Sequence, residues 1–210
     1  MSIRRRIPPL LLTLPALLAL PACFSSLNSK APAQQRYVLQ PPPSVPSPAA
    51  TATAAAGALQ VLRPTAAPGL AGEGIAVLRS GARLDFYSNA RWAANAPAAL
   101  QSLVIDALRD TGRFATVEAE GGPFASQFLL SLDLTHFEAR YAGDGPPTVG
   151  VAVVASLGRR SDRSVIASFT AQSAVRADAD RMQSVIAAFE QATGAVLAQL
   201  MSGIAAAPLQ

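Results

Sequence analysis

The sequence predicts a single α/β (α+β) domain: a mixed β-sheet with a C-terminal antiparallel meander and two amphipathic helices packed on one face. Three segments in the C-terminal half alternate apolar and polar residues, as half-buried strands do. Two longer segments place apolar residues at helical spacing instead. From residue 58 onward the chain offers roughly 150 residues, enough for one domain with a sizeable core.

Residues 1–22 have the parts of a secretory signal peptide. A basic stretch at Arg4–Arg6 precedes an apolar run from Ile7 to Leu20, and small residues follow before Cys23. The run is too short to span a membrane, which takes about 20 apolar residues. The segment Leu20-Pro21-Ala22-Cys23 resembles the bacterial lipobox, which implies that Cys23 becomes the lipidated N-terminus of the mature chain. The alternative is an ordinary secretory signal followed by a free thiol.

Residues 23–57 are predicted to form a tether after the lipidated cysteine. This segment is rich in Pro, Ala, Ser and Gln, and such a composition cannot bury enough apolar surface to offset its ordering entropy. A flexible chain of about 35 residues has a root-mean-square reach of about 30 to 35 Å. The exception is the β-prone segment 36–39, Arg36-Tyr37-Val38-Leu39, which could lie on the domain as an edge strand.

The first half of the domain, which is assigned to residues 58–204, reads as strands followed by a helix. A short strand at 59–63 stops at Pro64, and 74–79 with 83–87 form a hairpin around Ser80-Gly81. Asn95 and Pro97 then mark a helix start, and Gly112 marks its end.

The second half reads as a meander and a second helix. After a short strand at 114–117, alternation predicts strands at 127–135, 149–157 and 165–171. Asp178 or Asp180 is predicted to begin the last helix, and residues 205–210 are predicted to be a disordered tail. The apolar stripe of that helix comprises Met182, Val185, Ile186, Phe189, Val196, Leu197 and Leu200.

Charge and cysteine content exclude several classes of protein. The formal net charge is +4, but three of the 17 basic residues lie in the signal, so the mature chain carries 14 basic against 13 acidic residues. Beyond the short group Arg159, Arg160 and Arg163 there is no basic cluster, so nucleic acid is not an expected partner. Cys23 is the only cysteine, which excludes a disulfide scaffold and a thiolate metal site. No cofactor or metal is expected.

The sequence offers no recognisable catalytic constellation, and we predict that the protein is not an enzyme. His136 is the only histidine, placed at the end of a predicted strand, and no Gly-x-Ser-x-Gly elbow accompanies it. We interpret it as a residue that caps the strand or faces solvent. The glycine-rich segment 69–74 lacks the Lys-Ser/Thr ending of a phosphate loop and reads as a turn.

The aromatic group Phe86, Tyr87 and Trp92, with Arg91 beside it, is the most promising binding feature. Trp, Tyr and Arg are enriched at interface hot spots because they combine large contact area with a polar tip. We predict a partner-binding site at Tyr87, Arg91 and Trp92. The competing interpretation is that Phe86 and Trp92 fill the core between the hairpin and the first helix.

These landmarks, taken together, resemble the ABC-type transport auxiliary lipoprotein family, which includes the PqiC-type lipoproteins. The matching segments are 36–39, Pro68-Gly69-Leu70 with Gly74-Ile75, and Leu84-Asp85-Phe86-Tyr87 followed by Arg91-Trp92. The resemblance implies an outer-membrane lipoprotein on the periplasmic side of a Gram-negative bacterium, anchored by palmitate-like acyl chains on Cys23. It further implies an accessory role, without catalysis, in an ABC/MCE-type (mammalian cell entry) system for lipid transport between membranes.

The partners that follow are an MCE-type protein spanning the periplasm and its ABC/permease system, with self-association into a homo-oligomer left open. Two other readings remain. One is a lipoprotein module for cell-envelope or outer-membrane assembly, and the other is a lipid-anchored hydrolase with a site around His136.

Overall fold

The computed structural model describes residues 33–42, 55–79 and 83–209. The predicted signal peptide, Cys23 and the Ser80-Gly81 turn lie outside these residues. Within them the chain forms nine strands and two helices. The elements are β1 (Gln35–Tyr37), β2 (Leu59–Val61), β3 (Thr65–Ala66), β4 (Gly74–Arg79), β5 (Arg83–Trp92), α1 (Ala96–Thr111), β6 (Val117–Ala119), β7 (Phe128–Arg140), β8 (Thr148–Arg159), β9 (Val165–Arg176) and α2 (Met182–Ala206).

The nine strands form one mixed sheet organised around β7. On one side of β7, β8 and then β9 pair antiparallel, which confirms the predicted C-terminal meander. On the other side, β2, β3 and β4 pair in parallel with successive parts of β7. Beyond them, β6 pairs with β2, β5 pairs with β4 as the predicted hairpin, and β1 pairs with β5. The predicted fold class is therefore confirmed.

The core lies between one face of this sheet and the two helices. Apolar residues of β7 such as Leu130, Leu132 and Leu134 are at most 1% exposed, while Ser131 and Asp133 between them are exposed. The stripe of α2 packs on β8 and β9, with Phe189 and Leu200 fully buried. By length and composition α2 could cross a membrane, but 56% of its most apolar window is buried inside the domain, so it is a core helix.

Local capping explains where α1 begins and ends. The Asn95 side chain accepts a hydrogen bond from the Ala98 backbone N–H at 2.9 Å, satisfying one of the unpaired donors of the first turn. Gly112 adopts φ of 61°, the left-handed conformation that ends a helix and that glycine adopts without steric cost. Both predicted boundary signals of this helix are confirmed.

Several strands differ from their predicted bounds. The strand predicted to end at Thr135 runs on to Arg140, because a bulge between Leu134 and His136 shifts the alternation by one residue. For the same reason His136 lies inside β7 and not at its end. The strand predicted at 114–117 is shifted to β6, and Phe114 makes only an isolated bridge with Ala56.

The helix α2 also differs from its prediction at both ends. Its cap position is Arg181, with no side-chain capping bond, so neither Asp178 nor Asp180 starts the helix. The tail predicted from residue 205 is helical through Ala206, and Ala207 is 6% exposed. The Arg113 side chain donates to the Ala207 carbonyl at 2.7 Å, which helps to hold this end on the domain.

The described part of the N-terminal segment lies along the domain, as the sequence predicted for 36–39. β1 pairs in parallel with β5, and the Ala93 N–H donates to the Tyr37 carbonyl at 2.7 Å. The Gln40 N–H donates to Glu190 of α2 at 3.3 Å, and Leu39 packs against the core. This edge strand therefore joins the sheet to α2.

Candidate functional site

The structure separates the three residues predicted to bind a partner. Trp92 is in the core at 3% exposure, with its ring centroid 5.5 Å from that of Phe137 and 5.1 Å from that of Phe189. Its Nε1 is buried without a hydrogen-bond partner in the part of the chain that the structure describes. Trp92 thus has the core position of the competing interpretation. Its role in binding a partner remains a prediction.

The other residues of the aromatic segment reach the surface. Phe86 is 49% exposed and lies over Gly74, where any Cβ would collide with its ring. Arg91 is exposed and stands beside Arg36 in the β1–β5 register. Arg36 in turn forms an ion pair with Glu73 at 3.2 Å. The surface near Arg91 thus combines two guanidinium groups with one carboxylate.

Tyr87 belongs to a hydrogen-bonded chain that no sequence pattern indicated. The Tyr141 hydroxyl donates to Asp180 Oδ1 at 2.6 Å and lies 2.9 Å from the Tyr87 hydroxyl. Because Tyr141 has only one hydroxyl proton, which it donates to Asp180, Tyr87 must donate to Tyr141. These hydrogen bonds connect β5 with the end of β7 and with Asp180, which precedes α2.

Charged groups lie near the hydrogen-bonded residues Tyr87 and Tyr141. The Arg79 guanidinium lies 4.9 Å from the centre of the Tyr141 ring, a cation–π contact, and Asp85 pairs with Arg83 at 2.8 Å. Burial is the main cause that raises the pKa of Tyr87. Burial and the hydrogen bond to Asp180 raise the pKa of Tyr141 well above its usual range. Both phenols therefore stay protonated at physiological pH and keep their hydroxyl protons for hydrogen bonding.

A second polar group lies on β7, on the face opposite to the one that α2 covers. The carboxylate of Glu138, whose side chain is 6% exposed, accepts bonds from the Phe137 N–H and from Arg140 Nη2, each at 2.8 Å. His136 Nδ1 lies 3.0 Å from the same carboxylate. Gly150 lies directly across from Glu138 on β8.

The sequence analysis missed this His136–Glu138–Arg140 group. The spacing i, i+2, i+4 places side chains on one face of a strand, and this signal would have found the group had the strand been continued past Thr135. The geometry resembles an acid–histidine pair, in which a carboxylate orients an imidazole. Across from His136 on β8 lies Ala152, which has no nucleophilic atom. Among the described residues, no group of three His, Cys, Asp or Glu could hold a metal ion.

A family model for ABC-type transport auxiliary lipoprotein components matches residues 37–201. The chain belongs to this family. The resemblance predicted from the segments 36–39 and 84–92 is thereby confirmed, and the chain is identified as a lipoprotein component that assists an ABC-type transport system. The match begins at Tyr37, the last residue of β1, and ends within α2, so it covers strands β2 to β9.

Solved structures share the fold of this chain. A crystal structure of a Xanthomonas campestris protein of the DUF330 family has a TM-score of 0.65 at 30% sequence identity, over 80% of this chain and 92% of that chain. The crystal structure of an uncharacterized protein has a TM-score of 0.63 at 16% identity, over 82% of this chain and 99% of that chain, and shows the fold alone. No curated protein matches the chain.

Proposed function

We propose that this auxiliary lipoprotein is anchored in the outer membrane, faces the periplasm, and serves an ABC/MCE-type system that moves lipids between the two membranes. The observation that carries the proposal is the family match over residues 37–201. In this role the domain binds and positions a component of the transport machinery, and that machinery supplies the energy for lipid movement. Phe24 follows Cys23, so the aspartate that signals inner-membrane retention in enteric bacteria is missing there, which supports outer-membrane sorting.

Acylation of Cys23 provides the anchor in this proposal. Each buried methylene of an acyl chain contributes about 0.8 kcal/mol, and a single chain holds a protein only reversibly, so stable anchoring takes two signals. The change Cys23→Ser should remove the lipid adduct from the intact mass of membrane-extracted protein. It should also abolish complementation of a deletion strain at normal expression, because anchoring raises the effective concentration near the partner. Lipid labelling that persists in Cys23→Ser would contradict this assignment.

We assign the partner contact to the surface around Arg91 and Tyr87, since Trp92 is buried beneath it. Arg91 is exposed, and Tyr87, earlier on the same strand β5, begins the hydrogen-bonded series Tyr87–Tyr141–Asp180, which holds polar atoms in fixed positions. A photo-crosslinking residue at position 91, with position 176 at the end of β9 as the matched control, tests this in intact cells.

The expected result is capture of an MCE-type or permease component from position 91 but not from position 176. Capture of outer-membrane assembly factors from position 91 would favour the envelope-assembly reading instead. Capture of the same proteins at equal yield from positions 91 and 176 would contradict a specific contact at Arg91.

One observation favours a second candidate, a lipid-anchored hydrolase: the imidazole of His136 lies 3.0 Å from the buried carboxylate of Glu138. If this pair acts in catalysis, His136→Ala should abolish both ester hydrolysis by the purified protein and complementation. We expect His136→Ala to complement fully, because the accessory role needs no proton transfer. Ester hydrolysis that disappears in His136→Ala would overturn the accessory role.

A further inference from the structure

A cavity of about 440 Å³ opens to solvent at one end of the sheet, where β2 and β7 begin and β8 ends. Its volume lies in the range of about 300–1,000 Å³ typical of small-molecule sites. Apolar residues including Ala56, Phe128 and Leu209 contribute part of the lining, and Ser126, Arg159 and Arg160 contribute polar groups. The cavity is therefore amphipathic. It lies at the opposite end of β7 from Tyr141 and the proposed partner surface.

Arg160 is held in one orientation beside this cavity. Its Nε donates to Ser126 Oγ at 3.1 Å, and its Nη2 donates to Ser126 Oγ at 2.9 Å and to Gln60 Oε1 at 2.6 Å. Ser126 is only 8% exposed, so the guanidinium is tied to a buried hydroxyl. These bonds use Nε–H and Nη2–H donors, and Nη1 makes no hydrogen bond with any described residue. A pre-oriented guanidinium with donors to spare suits a phosphate or carboxylate oxygen.

Positive charge is concentrated at this end of the molecule. Arg159, Arg160 and Arg163 lie in or beside the β8–β9 turn, and the carboxylate of Asp162, 3.7 Å from Arg159 Nη1, offsets one of them. Behind the cavity wall, the Arg113 carbonyl accepts from the Ala56 N–H at 2.8 Å. Arg113 Nε is buried without a hydrogen-bond partner among the described residues. Arg160 lines the cavity, so an anion bound there would lie beside its guanidinium group.

The apolar part of the lining decides which kind of anion fits. Phe128 is 7% exposed and packs against Phe114 with ring centroids 5.8 Å apart, which gives the cavity a rigid apolar wall. Leu209 packs onto the core at another side of the same cavity. An inorganic anion would leave these surfaces in contact with water, whereas an acyl chain would cover them and gain the hydrophobic free energy of burial.

We propose that this cavity binds an anionic amphiphile, with its phosphate or carboxylate head at Arg160 and its acyl part against Phe128 and Leu209. The proposal goes beyond the accessory role, because it gives the domain a lipid ligand of its own. It does not depend on which protein partner the lipoprotein serves, and a binding assay on the purified chain tests it separately from complementation.

The experiment measures binding by calorimetry to the mature chain with Cys23→Ser, which retains all described residues. The probes are dihexanoyl phosphatidic acid, dihexanoyl phosphatidylcholine, octanoate and inorganic phosphate. Phosphatidic acid and octanoate should bind, and phosphatidylcholine and inorganic phosphate should each bind at least about tenfold more weakly. Phosphate lacks the acyl part, and phosphatidylcholine has a phosphate but no net negative charge, because its quaternary ammonium group neutralises it. The changes Arg160→Gln and Leu209→Asn should each weaken phosphatidic acid binding.

The matched control is Arg176→Gln, an exposed arginine paired with Thr148 at the opposite end of the β8–β9 ladder. It should leave binding unchanged, while Arg160→Gln should weaken it about tenfold, the effect expected for one charge-assisted hydrogen bond. Equal binding of phosphatidic acid and phosphatidylcholine would overturn the proposal. So would phosphate binding as tightly as phosphatidic acid, no probe binding at all, or equal effects of the two arginine changes. The four probes on the unaltered chain decide the outcome even if a variant fails to fold.

Discussion

The change Phe189→Ala tests whether α2 and the sheet share one core. Phe189 is fully buried, and its ring centroid lies 4.9 Å from that of Phe137 and 5.1 Å from that of Trp92. Truncation of a buried phenylalanine to alanine costs about 3–5 kcal/mol. Aromatic pairs add about 0.5–1.5 kcal/mol beyond area burial, so the upper half of that range is expected. This is a large part of the 5–15 kcal/mol that typically stabilises a domain.

Thermal unfolding of the mature chain measures the effect. In domains of about 150–250 residues each kcal/mol lowers Tm by about 2–4 °C, so a loss of about 4–5 kcal/mol in Phe189→Ala should lower Tm by about 8–20 °C. Far-UV circular dichroism reports the whole fold. Trp92 is the only tryptophan and contacts Phe189, so its fluorescence reports the same cluster locally.

Phe124→Ala is the matched control, because it removes the same atoms from a side chain that is 69% exposed. A surface change of this kind alters stability by no more than about 0.5 kcal/mol. If Phe189→Ala lowers Tm no more than Phe124→Ala does, the packing of α2 on the sheet is wrong. If the two optical probes give different midpoints for the unaltered chain, the single-core reasoning fails as well.

Two further predictions concern local polar contacts. Because the pKa of Tyr141 is raised in the folded state, the stability it contributes is fully present below the unfolded pKa of about 10 and is lost as pH rises further. Urea unfolding across that range should therefore show a decline in stability that Tyr141→Phe reduces, and an unchanged decline would contradict the raised pKa that burial and the bond to Asp180 give Tyr141. Asn95→Ala should cost about 0.5–2 kcal/mol in the same assay, whereas Asn89→Ala at an exposed strand position should cost less; equal losses would contradict the cap.

The elements that local patterns mark were predictable from the sequence. The alternation at Leu130, Leu132 and Leu134 has the strand period of two, and the signals at Asn95 and Gly112 have a direct stereochemical cause. In each case the information lies within a few residues of the feature. For this reason the sheet class, the hairpin, the meander and both helices were recovered.

The features that the sequence patterns did not predict depend on long-range contacts or on a break in the strand periodicity. The bulge after Leu134 shifts the phase of β7, so the group around Glu138 was hidden although its spacing is regular. Asp180 has the residue type of a helix cap, yet in the fold it accepts a bond from Tyr141, 39 residues away. A competing partner brought close by the fold overrides a local preference, and no window of sequence contains both residues.

The docked edge strand β1 changes how far the domain can reach from its proposed anchor. Eleven residues, 24–34, separate Cys23 from β1, and in any conformation they span at most about 40 Å, whereas the full predicted tether of 35 residues could span about 120 Å. Because β1 is held by β5 and the following Gln40 by Glu190, the length beyond β1 adds nothing to this reach. With Cys23 in the outer membrane, β1 and its neighbour Arg91 stay near that membrane. A partner anchored in the inner membrane would therefore have to extend across the periplasm to contact Arg91, as we propose for an MCE-type protein.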